Sequence, residues 1–252
     1  MLVDTHCHLD ILEDLDGTLR RMADAGVERA VTIGVDLASS EWAVRAAEEH
    51  PQLWATVGLH PHDAKDRTDA IMERLEELAA HPRVVGVGEA GLDYHYDNSP
   101  RDVQRASFAE QIALAKRAGR TLVIHSRDAW EDTFAILESE GVPERTVFHC
   151  WSGDAELARR AVEIGAVLSF AGTVTFKNAA NLRDAAAVTP LERIVVETDA
   201  PFLTPHPHRG TPNEPAFVSF VAQEIARVKS LDVGDVERAT SGNAAALFGW
   251  GL

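Results

Sequence analysis

Lysine is scarce in this chain, with four residues (Lys65, Lys116, Lys177 and Lys229) among 252. No basic run occurs anywhere, and acidic residues exceed basic ones to give a formal net charge of −16. A protein that grips long duplexes through their phosphates shows a basic face, so a general electrostatic hold on nucleic acid is excluded, and so is a basic recognition helix. Cysteine is almost as rare. Cys7 and Cys150 cannot build a disulfide framework, which favours a reducing compartment. No run of eighteen apolar residues is present to span a bilayer, and the first residues lack the basic, apolar and small-residue pattern of a secretory leader. There is no low-complexity tract, linker-like shift or repeat period. The expectation is a globular, cytoplasmic protein that contacts no membrane.

What is present is a core-forming chain, 45% hydrophobic. Short apolar, β-rich runs near 2–8, 29–35, 53–60, 84–90, 121–125, 146–150, 166–171 and 193–199 alternate with stretches of helical period. The helical stretches fall at 16–25, 39–49, 68–80, 101–118, 128–140, 154–164 and 178–187, and a last region over 213–249 breaks near Ser230–Gly234. Gly26, Gly119, Gly141 and Gly165 stand just past helix ends, where a left-handed residue is wanted. Strict alternation implies a parallel sheet. Eight βα units imply an α/β chain forming one (β/α)8 TIM barrel over 1–252 with extra C-terminal helices, rather than a doubly wound open sheet. Barrels of this kind carry their chemistry at the C-terminal ends of the strands.

The reactive side chains fall at those ends. His6 and His8 close the first strand in "VDTHCHLD", and Glu89 closes the fourth in "VVGVGEAGLDY". His125 closes the fifth in "TLVIHS", His149 the sixth in "TVFHC", and Asp199 the eighth in "RIVVETDAP". Side chains alternate across a strand, so His6 and His8 share one face and Cys7 takes the other. A lone histidine or carboxylate at a strand end is ordinarily a hydrogen-bonded core group. Six at the end where this fold places chemistry define a metal site. Imidazole with carboxylate suits Zn²⁺, Mn²⁺ or Fe, and carboxylate-rich sites accept Mg²⁺. Six ligands exceed the need of one tetrahedral ion, and a pair of ions roughly 3.5–4 Å apart would use them all.

The same residues lie in a series of motifs: "DTHCHLD" at 4–10, "GLHPH" at 58–62, "GEAGLDYHYD" at 88–97, "IHSRDA" at 124–129, "FHCWSGD" at 148–154, "TFKNA" at 175–179, "VVETDAPFL" at 195–203 and "PHRGTPNEP" at 207–215. In this order the chain resembles, nearly end to end, the TatD family of metal-dependent deoxyribonucleases, a branch of the amidohydrolase-like barrels. The resemblance implies that His6, His8, Glu89, His125, His149 and Asp199 are the metal ligands. It also implies hydrolysis of nucleic acid, often as a 3′→5′ exonuclease with Mg²⁺ or another divalent ion, and no ligand position is replaced. Some relatives are described as deacylating D-aminoacyl-tRNA.

A mechanism can be written on these residues. Glu89 bridges two ions, Asp199 orients a metal-activated water and takes its proton, and attack on phosphorus is in line. The local positive charge reconciles an acidic protein with a phosphodiester. Asp4 and Glu197 point inward beneath the ligands, where they can orient imidazoles or bind backbone instead. Arg127 and Arg209 are candidates for phosphate oxygens. His62 is placed to assist the phosphate or leaving group, Asp93, Tyr94 and His95 to line the cleft, and Tyr94 to stack a base. Cys7 and Cys150 are expected to be packed thiols.

Three rivals remain. Barrel hydrolases of small esters or amides often bridge their ions with a carboxylated lysine on strand four, and this chain has Glu89 there. A metal-stabilised scaffold predicts a closed coordination sphere, and six ligands leave room for water. Aminoacyl-ester hydrolysis on tRNA would use the same activated water. The substrate expected is a nucleic acid end or short single strand, handled by a monomer without an obligate protein partner.

Overall fold

A computed structural model of the protein describes residues 2–250. Eight strands are present among them: β1 (Leu2–Cys7), β2 (Val27–Thr32), β3 (Leu53–Val57), β4 (Val84–Asp93), β5 (Thr121–Arg127), β6 (Thr146–Phe148), β7 (Val167–Phe170) and β8 (Ile194–Val196). The helices between and after them are α1 (Leu15–Asp24), α2 (Leu37–Glu49), α3 (Asp69–Ala79), α4 (Arg101–Ala118), α5 (Trp130–Glu140), α6 (Ala155–Glu163), α7 (Ala180–Val188), α8 (Val218–Lys229) and α9 (Val233–Phe248). The strands form one eight-stranded sheet in sequential order, with parallel pairing of β3–β4, β4–β5, β5–β6 and β7–β8. This is the (β/α)8 TIM-barrel class, with α8 and α9 as the C-terminal helices. No helix among the described residues is long and apolar enough to cross a membrane.

The strands read as continuous apolar runs because both of their faces are covered. All residues of β1 and β4 are buried. The chain forms two compact units, residues 1–31 with 149–252, and residues 32–148. In the second unit, α4 lays buried Phe108, Ile112 and Ala115 toward the sheet, and Trp130, Phe134 and Phe148 form a ring cluster with centroids 5.7–6.4 Å apart. In the first, α8 and α9 bury Val221, Ile225, Val236 and Leu247. Each such aliphatic or aromatic side chain contributes about 1.5–3 kcal/mol when fully removed from water.

Strand lengths differ from the sequence expectation for local reasons. β6 ends at Phe148 and β8 at Val196, short of the expected 150 and 199. Cys150 (φ 43°) and Asp199 (φ 56°) take left-handed backbone just beyond, which no strand accommodates. β4 runs three residues further than expected, because Gly91, Leu92 and Asp93 stay in register with His125, Ser126 and Arg127. Gly91 makes that pairing possible. Its φ is +141°, and a Cβ there would lie 2.0 Å from the His125 carbonyl oxygen.

Two buried glutamines on α4 hold the segments that carry functional side chains. Gln111 accepts from the Leu59 N–H (2.9 Å) and donates to the Leu59 carbonyl (2.8 Å), next to His60. Gln104 does the same for Asp93, accepting from its N–H at 2.8 Å and donating to its carbonyl at 3.2 Å and to that of Ser99 at 2.8 Å. A backbone pair closed by a side-chain amide leaves no buried donor or acceptor orphaned. Gln111→Met, of similar volume, strands the Leu59 N–H and carbonyl, and is expected to lower stability by about 1–3 kcal/mol as a reduced midpoint in urea unfolding. An unchanged midpoint would refute this account of the clamp.

Candidate metal centre

Among the described residues, each unit holds a cluster of imidazole and carboxylate near its strand ends. In the first, ligating atoms of His6, His149 and Asp199 all lie within 4.8 Å of one another. His8 joins them, its Nε2 3.3 Å from Asp199 Oδ1. Period-two alternation explains the pair at the end of β1: His6 and His8 have ring centroids 5.2 Å apart, while Cys7 between them turns its Sγ to the Val31 carbonyl at 3.4 Å. The His6 and His149 rings stack at 4.0 Å and 13°. Two imidazolium ions would repel at that distance, whereas neutral ligands do not. The left-handed turn at Asp199 brings its N–H to the His6 carbonyl at 2.9 Å. Burial alone would raise the Asp199 carboxyl, but the hydrogen bond with His8 and the neighbouring His6 and His149 outweigh it and hold it below the usual range.

Two further buried carboxylates support this cluster. Glu197 Oε1 accepts from the Cys150 N–H at 2.7 Å and lies 3.3 Å from His149 Nδ1. Its Oε2 accepts from the Ser169 hydroxyl at 2.5 Å. Glu197 thus places a buried negative charge beside the His149 ring, where it favours a proton on the near nitrogen. Asp4 faces backbone instead of an imidazole. Oδ1 accepts from the Thr198 N–H at 2.9 Å and the His6 N–H at 3.3 Å, and Oδ2 sits 2.5 Å from the Thr198 hydroxyl. It thereby fixes the main chain at His6 and beside Asp199. Burial pushes the Asp4 carboxyl up to about 8, against the donors that favour its ionised form.

The second cluster contains His60, Glu89 and His125, again with ligating atoms within 4.8 Å. His125 Nδ1 is 2.7 Å from Glu89 Oε1, and its Nε2 is 3.2 Å from Asp93 Oδ2. The His125 ring is thus held between two carboxylates, Glu89 at one nitrogen and Asp93 at the other. Asp93 itself is fully buried. Its Oδ2 also accepts from His62 Nε2 at 2.9 Å, and its Oδ1 from the His95 and Tyr96 N–H groups at 2.9 Å each. Burial would raise this carboxyl, but the bonds from His125, Tyr96 and His62 prevail and hold it well below the usual range.

His60 has a ligand's position but a donor's tautomer. Its Nδ1 accepts from the His62 N–H at 3.1 Å. Burial, ahead of the opposing pull of Glu89, pushes its pKa down to about 4, so the ring is neutral and its proton resides on Nε2. That N–H faces Glu89 Oε1 at 3.4 Å. His60 is a positioning group for Glu89, and it was not among the residues picked out in the sequence. The signal was present in "GLHPH", where Pro61 starts a short 3-10 turn and makes His60 its N-cap.

The remaining candidates take varied places. His62 is partly open, with 28% of its side chain exposed. His95 is exposed and paired with Asp128 at 3.1 Å. Tyr94 donates its hydroxyl to Asp132 at 2.6 Å, and Arg101 lies 4.2 Å over its ring. Arg127 is exposed, its guanidinium 4.8 Å over the Tyr96 ring. Arg209, also exposed, covers Phe176 at 4.1 Å and donates to the Thr204 carbonyl at 3.0 Å.

A (β/α)8 fold whose strand ends carry histidine–carboxylate clusters, with oriented imidazoles, defines a metal-dependent hydrolase. The family model described as "TatD related DNase" matches residues 3–249, and the chain belongs to that TatD family. It is 43% identical over 252 residues to "Uncharacterized metal-dependent hydrolase YabD" of Bacillus subtilis (strain 168), covering 98% of this chain and 99% of that one. It is 44% identical over 260 residues to "Uncharacterized metal-dependent hydrolase TatD" of Mycobacterium tuberculosis, covering 99% and 98%. Among solved structures, the TatD homologue YJJV of Escherichia coli K12 superposes with a TM-score of 0.94 at 30% identity, covering 99% of this chain and 98% of that one.

Both clusters fit divalent ions by donor type: imidazole nitrogens and carboxylate oxygens within 4.8 Å of one another. Removing a group that orients a ligand weakens metal affinity by roughly 10- to 100-fold. Asp93→Ala is expected to show that loss in calorimetric titration with Mn²⁺. The tautomer of His60 makes a separate prediction. His60→Ala keeps the ion stoichiometry of the wild type and His125→Ala lowers it, as read by elemental analysis after dialysis; equal losses would make His60 a ligand.

Proposed function

We propose that this protein is a phosphodiesterase of nucleic acid, a 3′→5′ exodeoxyribonuclease acting on single strands or strand ends, with residues 1–252 serving as one cytoplasmic hydrolase domain. The observation that carries the reading is the repeated construction of the two clusters. Each places an imidazole beside a candidate ligand carboxylate and a second, buried carboxylate (His149 beside Asp199 and Glu197, His125 beside Glu89 and Asp93). Two clusters supply two ion sites, on His6, His8, His149 and Asp199 and on Glu89 and His125, and the oxygen content suits Mg²⁺, with Mn²⁺ or Zn²⁺ as alternatives. Ions bound there supply Lewis acidity toward phosphoryl oxygens and a nucleophilic water at neutral pH.

The chain's own groups supply the rest. Asp199, held ionised by its histidines, accepts a proton from the attacking water. Glu89 is oriented by the His60 ring, whose Nε2 lies 3.4 Å from its Oε1. His62, its Nε2–H tied to Asp93, would donate from Nδ1 to a phosphate oxygen or to the leaving group in its doubly protonated form. With a net charge of −16, affinity concentrates at the metal sites and the cationic groups around them. Weak gripping of long duplex and low processivity follow.

The test uses metal-stripped protein with a 5′-labelled single-stranded oligodeoxynucleotide and added Mg²⁺, Mn²⁺ or Zn²⁺, beside His125→Ala prepared identically. The expected result is a ladder shortening from the 3′ end, dependent on metal and reduced by at least about 100-fold in the variant. No cleavage with any metal, by protein shown to bind ions, would reject nucleic acid phosphodiesters and move the site to aminoacyl-tRNA or small esters.

A further inference from the structure

We infer that Tyr96 and Arg127 form a stacking platform for one unpaired nucleobase, and that it selects single-stranded substrate at the second cluster. The inference deepens the nuclease reading above and rests on nucleic acid as the substrate. Tyr96 is among the most exposed large apolar side chains of the protein, at 55%. Exposed aromatics are ordinarily free to turn, but this one is held on three sides. The Arg127 guanidinium lies 4.8 Å over its ring, and the His62 and His95 rings stand edge-on at 5.5 and 4.8 Å, with interplanar angles of 89° and 90°. Its backbone N–H is fixed on Asp93 Oδ1 at 2.9 Å. Preorganising a flat ring in water is what a stacking surface requires, because the ligand then loses little affinity to ordering it.

The alternative platform, Tyr94, is only half-exposed, and its polar end is committed: its hydroxyl donates to Asp132 at 2.6 Å and accepts from Arg105 at 3.3 Å. Charge singles out the same spot. The acidic neighbours are already matched, Asp97 to Arg101, Asp128 to His95 and Asp132 to Arg105. Arg127 makes no ion pair among the described residues, so its guanidinium keeps donors for a phosphate while its plane backs the tyrosine. His62, which contacts the Tyr96 ring, is bonded through Asp93 Oδ2 to His125. Base platform, phosphate donor and metal cluster thus form one connected series within residues 32–148.

The occupant is a nucleobase rather than an apolar peptide side chain. A cation-backed ring beside phosphate-type donors matches a planar π-face carried on an anionic backbone. A base inside a duplex has both faces stacked and cannot lie on the tyrosine without being extruded. A 3′-terminal or single-stranded base meets no such barrier.

The test is a fluorescence-anisotropy titration of a dye-labelled single-stranded octanucleotide, made with nuclease-resistant phosphorothioate linkages, by Mn²⁺-loaded protein. A set of octanucleotides, each carrying one abasic residue at a different position, runs in parallel. Stacking on one aromatic corresponds to roughly ten-fold or more in affinity. Tyr96→Ala should weaken binding of the intact oligonucleotide by that factor, Tyr96→Phe should retain it, and one abasic position should weaken wild type but not Tyr96→Ala. Equal binding by wild type and Tyr96→Ala, or an abasic penalty that persists in Tyr96→Ala, would overturn the platform. Failure of the nuclease reading looks different: it is absence of metal-dependent cleavage, whereas this titration involves no cleavage at all.

Discussion

A carboxylate taken out of water must be met by donors or give up its charge, and five of them lie at the strand ends of this protein. Asp4, Glu89, Asp93, Glu197 and Asp199 are each largely or wholly removed from solvent, and each is met by imidazole, backbone N–H or hydroxyl. The histidines stand beside the buried acids, and the acids in turn hold rings in place, as Asp93 does for His62 and His125.

Much of this was legible in the sequence because it depends on period and position. Alternating apolar runs and helical stretches specify the (β/α)8 class, and glycines past α1, α4, α5 and α6 mark the left-handed exits, with φ of 61–88°. The His-x-His parity at β1 places Cys7 away from the ligands. Less legible was anything set by contact between distant segments. Asp93 read as a cleft residue, yet β4 extends through it and its side chain turns inward to His62 and His125. Asp4 had two readings, and the three-dimensional arrangement of the Thr198 and His6 N–H groups favours backbone over an imidazole. The tautomer of His60 depends on one backbone N–H two residues away, which no residue-type pattern encodes.

Acidity and a phosphodiester substrate are compatible because charge is distributed by location rather than by sum. On the surface, many arginines are engaged in pairs such as Arg67–Glu110 and Arg117–Glu76, which contribute little individually to stability. Arg127 and Arg209 make no ion pair among the described residues. A protein can thus carry a large negative total and still present cationic and metal-binding groups where an anion must be held, with repulsion elsewhere discouraging unproductive association.

The two clusters also differ in how the chain supplies them. Glu89 and His125 are 36 residues apart and belong to the continuous unit of residues 32–148, whereas the anchor that ties the start of the chain to the other cluster, Asp4 to Thr198, spans 194 residues. During synthesis every side chain of the second cluster has been made before Asp199 exists. The first cluster, which joins His6 and His8 to His149 and Asp199, must bear the entropy of closing a much longer loop. The order in which the ribosome delivers the ligands thus gives the two sites separate histories: one draws on a single continuous segment, the other only on segments made far apart in time.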